Sequence, residues 1–247
     1  MATLILPPRH TDDTIALWRA ALASSWRTER LASLRSDLPP IEDGDIAIYG
    51  EPFFAQTVAR QTSRRLLSPP DDWLTKLPHS LLHRVVRYLS LAEARDITVP
   101  AFIKPADEKC FPARVYANGS ELPSKGELDD LLPCLVSDPV RWESEFRCFM
   151  LDNRVATVSV YSRNGDIAQD DEGDWPAPNE EMNGAKAIAE KAADVSRDIL
   201  PRSVVIDVGW ISGMGWGVIE ANASWGSGIY GCDPSIVLEV VAAACVV

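Results

Sequence analysis

Two short apolar runs, each carrying an acid, predict a β-hairpin near the end of the 247-residue chain. Residues 204–210 and 216–222 are rich in β-branched and aromatic side chains, and residues 212–215 between them contain two glycines, as hairpin turns do. With a symmetric loop of two or four residues, Asp207 falls opposite Glu220. An odd-length loop would break this register and place the two acids on opposite faces.

Two opposed acids in an apolar setting indicate a bound cation. Directly opposed side chains have Cβ atoms about 5 Å apart, so two carboxylates there repel. Asp207, Glu220 and the amide of Asn222, which points to the same face, are oxygen ligands of the kind that Mg²⁺ takes. We therefore predict a metal site, and expect Glu220→Gln to leave the metal-free protein at least as stable as the parent. The alternative is an acidic hairpin facing solvent, which does not explain the apolar neighbours.

A lysine inside an apolar strand marks a second candidate site. Lys104 lies in residues 99–105, VPAFIKP, and a buried ammonium is costly without a partner. That partner is either a nucleotide phosphate or a structural carboxylate. Residues 106–118, which follow, contain no glycine, so a flexible glycine loop is not expected to hold phosphate there. Lys109 would supply a side-chain charge instead.

Two arginines follow on further predicted strands. Residues 142–151 alternate so that Arg147 and Phe149 share one strand face. The next strand, residues 154–161, leads to Arg163. Forked guanidinium groups suit an anionic phosphate or carboxylate. The alternative is a pair of surface arginines bridged to local acids, an arrangement that contributes little to stability.

The remaining pattern predicts an α+β protein that begins with a small α/β unit. Residues 68–72, SPPDD, form the best linker in the chain. After it, Arg84 is expected on the solvated face of a helix. In order, the other predicted elements are strands at 2–6 and 45–49, helices from Thr11 to about Leu34 and over 52–67, a loop around Pro39, Pro40, Glu42 and Asp43, the helix from Pro78 to about Arg95, strands at 111–116 and 131–137, and helices at 180–200 and 235–247.

Composition excludes several classes of function. The formal net charge of −12 argues against a nucleic-acid-binding surface. No apolar run approaches the roughly 18 residues of a membrane-spanning helix, and the N-terminus lacks a signal-peptide pattern, so we expect a cytoplasmic protein without membrane partners. The five cysteines lack CxxC spacing, so free thiols are expected. Neither a P-loop nor a GxSxG motif occurs.

The hairpin acids carry a resemblance to a known family. The sequence Asp207-Val-Gly-Trp, followed by Val-Ile-Glu220-Ala-Asn222, looks like the C-terminal metal-binding end of ATP-grasp enzymes. In that family an aspartate, a glutamate and an asparagine hold Mg²⁺ against the ATP phosphates. Asp207, Glu220 and Asn222 would be those ligands here, with ATP and Mg²⁺ as cofactors.

The strand motifs narrow the resemblance to one branch of the family. Phe-Ile-Lys104-Pro, Glu145-Phe-Arg147 and Tyr161-Ser-Arg163 resemble the RimK-like branch, which is named for two arginines and one lysine. Together with the hairpin, the resemblance covers roughly residues 99–234. It implies that Lys104 reaches the nucleotide and that Arg147 and Arg163 act at the transferred phosphate or the acceptor carboxylate.

The resemblance also implies a domain layout. An ATP-grasp fold has two α/β lobes that sandwich the nucleotide, here preceded by a small α/β domain. The expected divisions are residues 1–68, 69–137 and 138–247. The hinge between the lobes, which includes Ser137, Asp138 and Val140, would bind adenine through main-chain groups.

The implied activity is ATP-dependent ligation of a carboxylate to an amine, through an acyl phosphate. The substrates would be small molecules or peptides. Two alternatives use the same fold: a nucleotide-binding or interaction protein without catalysis, favoured by the missing glycine loop, and a kinase-like phosphoryl transferase. Neither the substrates nor the oligomeric state follows from the residues.

Overall fold

The computed structural model of the chain describes residues 1–33, 44–107 and 109–247. The predicted loop at Pro39, Pro40, Glu42 and Asp43 lies outside the described residues. The helices are Asp12–Ala23 (α1), Pro52–Gln61 (α2), His79–Leu82 (α3), Leu91–Arg95 (α4), Asn179–Val195 (α5) and Pro234–Ala243 (α6). The strands are Thr3–Leu6 (β1), Arg27–Arg30 (β2), Ile46–Ile48 (β3), Arg65–Leu66 (β4), Val86–Ser90 (β5), Ala101–Pro105 (β6), Arg114–Tyr116 (β7), Pro133–Ser137 (β8), Trp142–Leu151 (β9), Arg154–Arg163 (β10), Asp166–Ile167 (β11), Ser203–Ile211 (β12), Gly215–Asn222 (β13) and Cys245–Val246 (β14).

The N-terminal unit is a three-stranded parallel sheet with the order β2-β1-β3. The predicted helix from Thr11 to about Leu34 is wrong in its second half, because α1 ends at Ala23 and β2 follows. Ser25 takes a left-handed φ of 58°, which no helix continues. The second helix is also shorter than predicted: α2 ends at Gln61, and β4 pairs with β14 at the end of the described chain.

The second sheet is antiparallel, with the order β5-β8-β6-β7. The single helix predicted from Pro78 to about Arg95 is wrong, since this stretch forms α3, β5 and α4. His83 ends α3 with a left-handed φ of 54°, and residues 86–90 pair with β8. Their apolar side chains fit a helix pattern and a strand pattern about equally, so tertiary pairing decided the outcome.

The third sheet is antiparallel, with the order β11-β10-β9-β12-β13. Its two faces separate two cores, as the alternation along β9 predicts. Phe146 packs with α5 on one face, whereas Phe149 packs with α6 and the N-terminal unit on the other. The N-terminal unit therefore shares a core with the last sheet, and the predicted divisions at 68/69 and 137/138 stay predictions.

Two further features of the described chain bear on its class. No helix in these residues has the length and apolarity to cross a membrane. All five cysteines are free thiols, with Cys110 exposed and the other four buried.

Candidate functional site

The hairpin brings Asp207 opposite Glu220, as predicted, but by a different route. Ile211 pairs with Gly215, so the loop has three residues and is odd in length. The shifted register persists inward to the pair Val208–Val218, and then a β-bulge at residue 219 restores it before Asp207 and Glu220. The bulge inserts one residue into β13 and so compensates for the odd loop.

Asp207 forms a buried ion pair with Arg147. The two residues are directly opposite each other on β12 and β9. Arg147 donates from Nε to Oδ1 at 2.9 Å and from Nη2 to Oδ2 at 2.6 Å, a bidentate geometry. Asp207 is 0% exposed and Arg147 8%. Burial raises the pKa of Asp207 and Arg147 opposes that rise; burial would lower the pKa of Arg147, but Asp207 raises it.

Glu220 forms an ion pair with Lys104, which links the last sheet to the second sheet. The side chains of Lys104 and Glu220 are 20% and 27% exposed, so both border solvent. Burial would raise the pKa of Glu220, but the Lys104 ammonium and the Asn222 amide lower it below its ordinary value. The structural carboxylate considered as the partner of Lys104 is therefore a residue of the hairpin itself.

The cations that relieve the repulsion between the two acids are thus protein side chains, Arg147 and Lys104. Asn222 completes the cluster, since its Nδ2 lies 2.8 Å from Oε1 of Glu220 and 3.3 Å from Oδ2 of Asp207. Five predicted site residues converge, and they come from three strands of the last sheet and one of the second sheet.

The cluster opens into a cleft of about 360 Å³. The walls of this cleft come from the linker, the second sheet and the hairpin. The lining residues include Pro69, Pro70, Trp73, Lys104, Leu135, Glu220 and Asn222. Lys104 and Glu220 therefore present their charges to a concave space of the size that small ligands occupy.

The predicted hinge residues lie at the end of β8, beside β5. Ser137 pairs with Val86 on one side and Phe102 on the other. Asp138 accepts a 2.9 Å hydrogen bond from the backbone N–H of Val85 through Oδ2. Val140 is half-buried, three residues beyond Ser137.

Lys109 does not join the cluster of Lys104 and Glu220. It lies in the loop between β6 and β7, and its side chain is exposed. Its role at the phosphates remains a prediction from the sequence.

The structure gives the two predicted arginines different surroundings. Arg163 pairs with Glu181 of α5 at 2.7 Å, and both side chains are about one third exposed. Since α5 covers the face opposite to Arg147, the two guanidinium groups point to opposite faces of the sheet. The reason is a bulge at Tyr161, between the pairs Val160–Phe146 and Ser162–Glu145, which turns every later side chain over.

An aromatic group surrounds Arg147 that the sequence analysis did not identify. Tyr161 stacks on Tyr230 with ring centroids 5.0 Å apart, and Trp175 meets Tyr230 edge-on at 5.2 Å. The guanidinium carbon of Arg147 lies 5.0 Å from the ring of Tyr230. Tyr230 has a left-handed φ of 47°, a strained conformation in a non-glycine residue. Nothing in the local pattern indicates these contacts, because the rings come from distant segments.

A buried acid from the N-terminal unit reaches the same region. Asp13 accepts hydrogen bonds through Oδ2 from the Tyr49 hydroxyl at 3.0 Å and from the backbone N–H of Ile229 at 3.3 Å. Burial raises the pKa of Asp13. In the sequence, Asp13 looks like an ordinary acid in the first turn of a helix, so its place beside the Arg147 region could not be read from the pattern.

The donor set fits a hard divalent cation. Among the described residues, no three His, Cys, Asp or Glu side chains converge in a way that would hold a metal ion, so the third donor would be the amide oxygen of Asn222. The amide already lies within hydrogen-bond distance of both carboxylates, and a rotation about its last side-chain bond presents oxygen in place of nitrogen. Two carboxylates and an amide oxygen match the ligands that Mg²⁺ takes.

A sequence profile of a known family matches more than half of the chain. The profile describes the ATP-grasp domain of the clade named for two arginines and one lysine, family 2 of that clade, and the match runs over residues 81–240. The chain belongs to this ATP-grasp family. The predicted branch of the ATP-grasp proteins is thereby confirmed, and the cluster of Lys104, Arg147, Asp207, Glu220 and Asn222 lies wholly inside the matched region.

Solved ATP-grasp structures share the fold along nearly the whole chain. A RimK domain ATP-grasp protein from Sphaerobacter thermophilus has a TM-score of 0.60 at 14% identity, with 98% of this chain and 99% of that chain covered. The D-alanine–D-alanine ligase from Bacillus anthracis, in complex with ATP, has a TM-score of 0.54 at 12% identity, with 98% and 95% covered. A D-cycloserine synthetase has a TM-score of 0.58 at 12% identity, with 98% of both chains covered.

These identities are low, so the structural likeness establishes the α+β ATP-grasp fold alone. No curated protein matches the sequence significantly. The roles of individual residues in this ATP-grasp protein therefore depend on its own geometry.

Proposed function

We propose that this ATP-grasp protein is an ATP-dependent ligase that joins a carboxylate to an amine through an acyl phosphate. One observation carries the proposal: the cleft brings the ammonium of Lys104 against the hairpin that holds Asp207, Glu220 and Asn222. A cation from one sheet and a hard-oxygen donor set from another thus face the same space. Such an arrangement suits a polyphosphate and the metal ion that accompanies it.

Asp207, Glu220 and Asn222 would hold Mg²⁺, which when bound neutralises charge on the phosphates of ATP. Lys104 would exchange its contact with Glu220 for one with a nucleotide phosphate, so the ion pair keeps the lysine oriented until ATP arrives. The main chain at Ser137, Asp138 and Val140 would bind the adenine. Lys109, exposed in the loop after β6, would cover the phosphates in place of a glycine loop.

Arg147 is the better supported of the two arginines as an acceptor group. Its Nε and Nη2 are held by Asp207, and its Nη1 donates to the Gly228 carbonyl at 3.0 Å. A guanidinium has five N–H donors, so two remain for a carboxylate or phosphoryl oxygen. Arg163 would act only after leaving Glu181, since it now faces α5.

The substrate class is inferred from chemistry and from the structural neighbours. A small-molecule ligase, a synthetase and a macrocyclase bound to a precursor peptide, the last with a TM-score of 0.51 at 12% identity, share the fold. We propose a small-molecule or peptide carboxylate and an amine as the substrates.

A second candidate is a nucleotide-binding protein without catalysis. Two observations favour it: residues 106–118 lack glycine, and both hairpin acids already have protein cations as partners. The two candidates differ in turnover, since only the ligase consumes ATP when an amine and a carboxylate are supplied.

The deciding experiment measures products. The protein is incubated with Mg-ATP and a pool of amino acids and short peptides, and the mixture is analysed by mass spectrometry for ADP and for new condensation products. A ligase releases ADP only with added substrate and yields an amide product. A phosphorylated hydroxyl product would indicate a kinase instead, and ATP binding without turnover would indicate the non-catalytic protein.

Two lysine variants control this assay. Lys104→Met should abolish turnover, whereas Lys191→Met, which removes an exposed lysine of α5, should behave as the parent. Equal turnover in both variants would contradict the assignment of Lys104.

A further inference from the structure

A buried arginine lies behind the hairpin, in the segment between α3 and β5. Arg84 is 6% exposed, although the sequence places it on a solvated helix face. Its guanidinium carbon lies 5.2 Å from the ring centroid of Trp142. No salt bridge joins Arg84 to a carboxylate within the part of the chain that the structure describes.

Arg84 is held by backbone carbonyls. Its Nη1 donates to the carbonyls of Leu82 at 3.1 Å and Val218 at 2.8 Å, and its Nη2 donates to the carbonyl of Ile219 at 3.0 Å. Burial lowers the pKa of Arg84 to about 10, with Glu220 and Asp138 opposing that shift. Desolvating a guanidinium without a carboxylate partner is costly, so this position has to be justified by what the carbonyl contacts achieve.

The two carbonyls on β13 are those of the bulge. Regular pairing stops after Val208–Val218 and resumes one residue out of step at Asp207–Glu220, so Ile219 is the extra residue. Successive carbonyls in a regular strand point to opposite sides. One guanidinium that receives two successive carbonyls therefore fits a bulged strand better than a regular one. β13 is also the edge of its sheet, so no further strand pairs with these carbonyls.

The bulge decides which face Glu220 occupies. If the pairing of Val208–Val218 continued without the extra residue, Asp207 would lie opposite Ile219. A slip of one residue moves a side chain to the other face of a strand, so Glu220 would then point away from Asp207, Lys104 and the cleft.

We propose that Arg84 is a positioning residue that holds the β-bulge at Ile219 and thereby sets Glu220 opposite Asp207. Its effect on metal and nucleotide binding rests on the proposed function, whereas its effect on strand register does not. The next residue, Val85, binds Asp138 through its backbone N–H at 2.9 Å. Two adjacent residues thus hold the hairpin and the hinge segment in one arrangement around the cleft.

The test separates register from stability. Arg84→Met removes the three hydrogen bonds and keeps most of the side-chain volume, and Arg84→Lys keeps the charge and can contact fewer carbonyls. The matched control is Arg95→Met, since Arg95 is a half-buried arginine that also donates to two backbone carbonyls, those of Pro123 and Ser124, but lies beside the second sheet. All proteins are compared without nucleotide by cross-strand NMR contacts within the hairpin, and then by ATP titration with Mg²⁺ or with EDTA.

The parent and Arg95→Met should show Asp207 opposite Glu220. Arg84→Met should lose that contact, either to Asp207 opposite Ile219 or to no ordered pairing at 217–221. Mg²⁺ should strengthen ATP binding to the parent, and Arg84→Met should lose about 10- to 100-fold of that Mg²⁺-dependent gain, as when a group that orients a metal ligand is removed. Arg84→Lys should recover part of the loss.

Each other outcome is decisive. If folded Arg84→Met, or Arg84→Lys where the Met variant does not fold, keeps Asp207 opposite Glu220, Arg84 does not set the register and the inference is wrong. If the register is lost but the parent binds ATP without any effect of Mg²⁺, the proposed metal site fails while the positioning role stands.

Discussion

Removing either member of the Arg147–Asp207 pair should destabilise the protein far more than removing a surface arginine. The sequence alone favoured a purely functional role for Arg147, with little effect on thermal stability. The structure reverses that expectation because Asp207 is fully buried and both its oxygens accept from Arg147 at 2.6 and 2.9 Å. Either single substitution leaves the other charge buried without its partner.

The magnitude follows from that geometry. Breaking a buried pair by removing one partner costs about 3–5 kcal/mol, so Arg147→Met and Asp207→Asn should each lower the free energy of unfolding by that amount. In a chain of this length, the loss corresponds to a fall in melting temperature of roughly 6–20 °C. The double variant should cost less than the sum of the singles by about 2–3 kcal/mol, since no charge is then left alone.

The assay is urea unfolding of the four proteins of this cycle without nucleotide, with Arg163→Met as the matched control. The Arg163–Glu181 pair is about one third exposed, and such pairs contribute about 0–1 kcal/mol. A cycle in which the singles are additive, or in which Arg147→Met costs no more than Arg163→Met, would refute a coupled buried pair.

Three further expectations follow. Lys104→Met should weaken ATP binding while the fold persists, and a nucleotide titration that shows unchanged affinity in the folded variant would contradict it. Glu220→Gln should abolish the rise in melting temperature that Mg-ATP produces and should now destabilise the metal-free protein, because it deprives Lys104 of its carboxylate; since the folded pKa of Glu220 is lowered, this difference should be full above the ordinary glutamate pKa of about 4.3, shrink as the pH falls through the lower folded value, and be measured by urea unfolding against pH. Gly184→Ala in α5 should cost about 1–3 kcal/mol by overpacking, because an added Cβ would lie 2.4 Å from Nε1 of Trp216, and thermal melts against the exposed Asn183→Ala control would show no difference if Trp216 moves aside freely.

The sequence determined the features that depend on short-range alternation. The hairpin, the two faces of β9 and the closing helix α6 follow from the order of apolar and polar residues. So does the ATP-grasp assignment, because the motifs around Lys104, Arg147 and the hairpin acids are short and keep a characteristic order. Where a pattern suited two structures equally, as at residues 86–90, the sequence did not decide, because pairing with β8 comes from far along the chain.

Only the tertiary structure decided which of the charged residues meet. A period of two assigns side chains to faces only while a strand stays regular, and one bulge reverses every later assignment. The bulge at Ile219 rescues the Asp207–Glu220 pair after an odd loop, whereas the bulge at Tyr161 sends Arg163 to the far face. The first bulge is held by Arg84, which is more than 130 residues away along the chain, so no local pattern contains it. The partner of Lys104 likewise comes from another sheet, and long-range contacts of this kind exist only once the sheets have packed together.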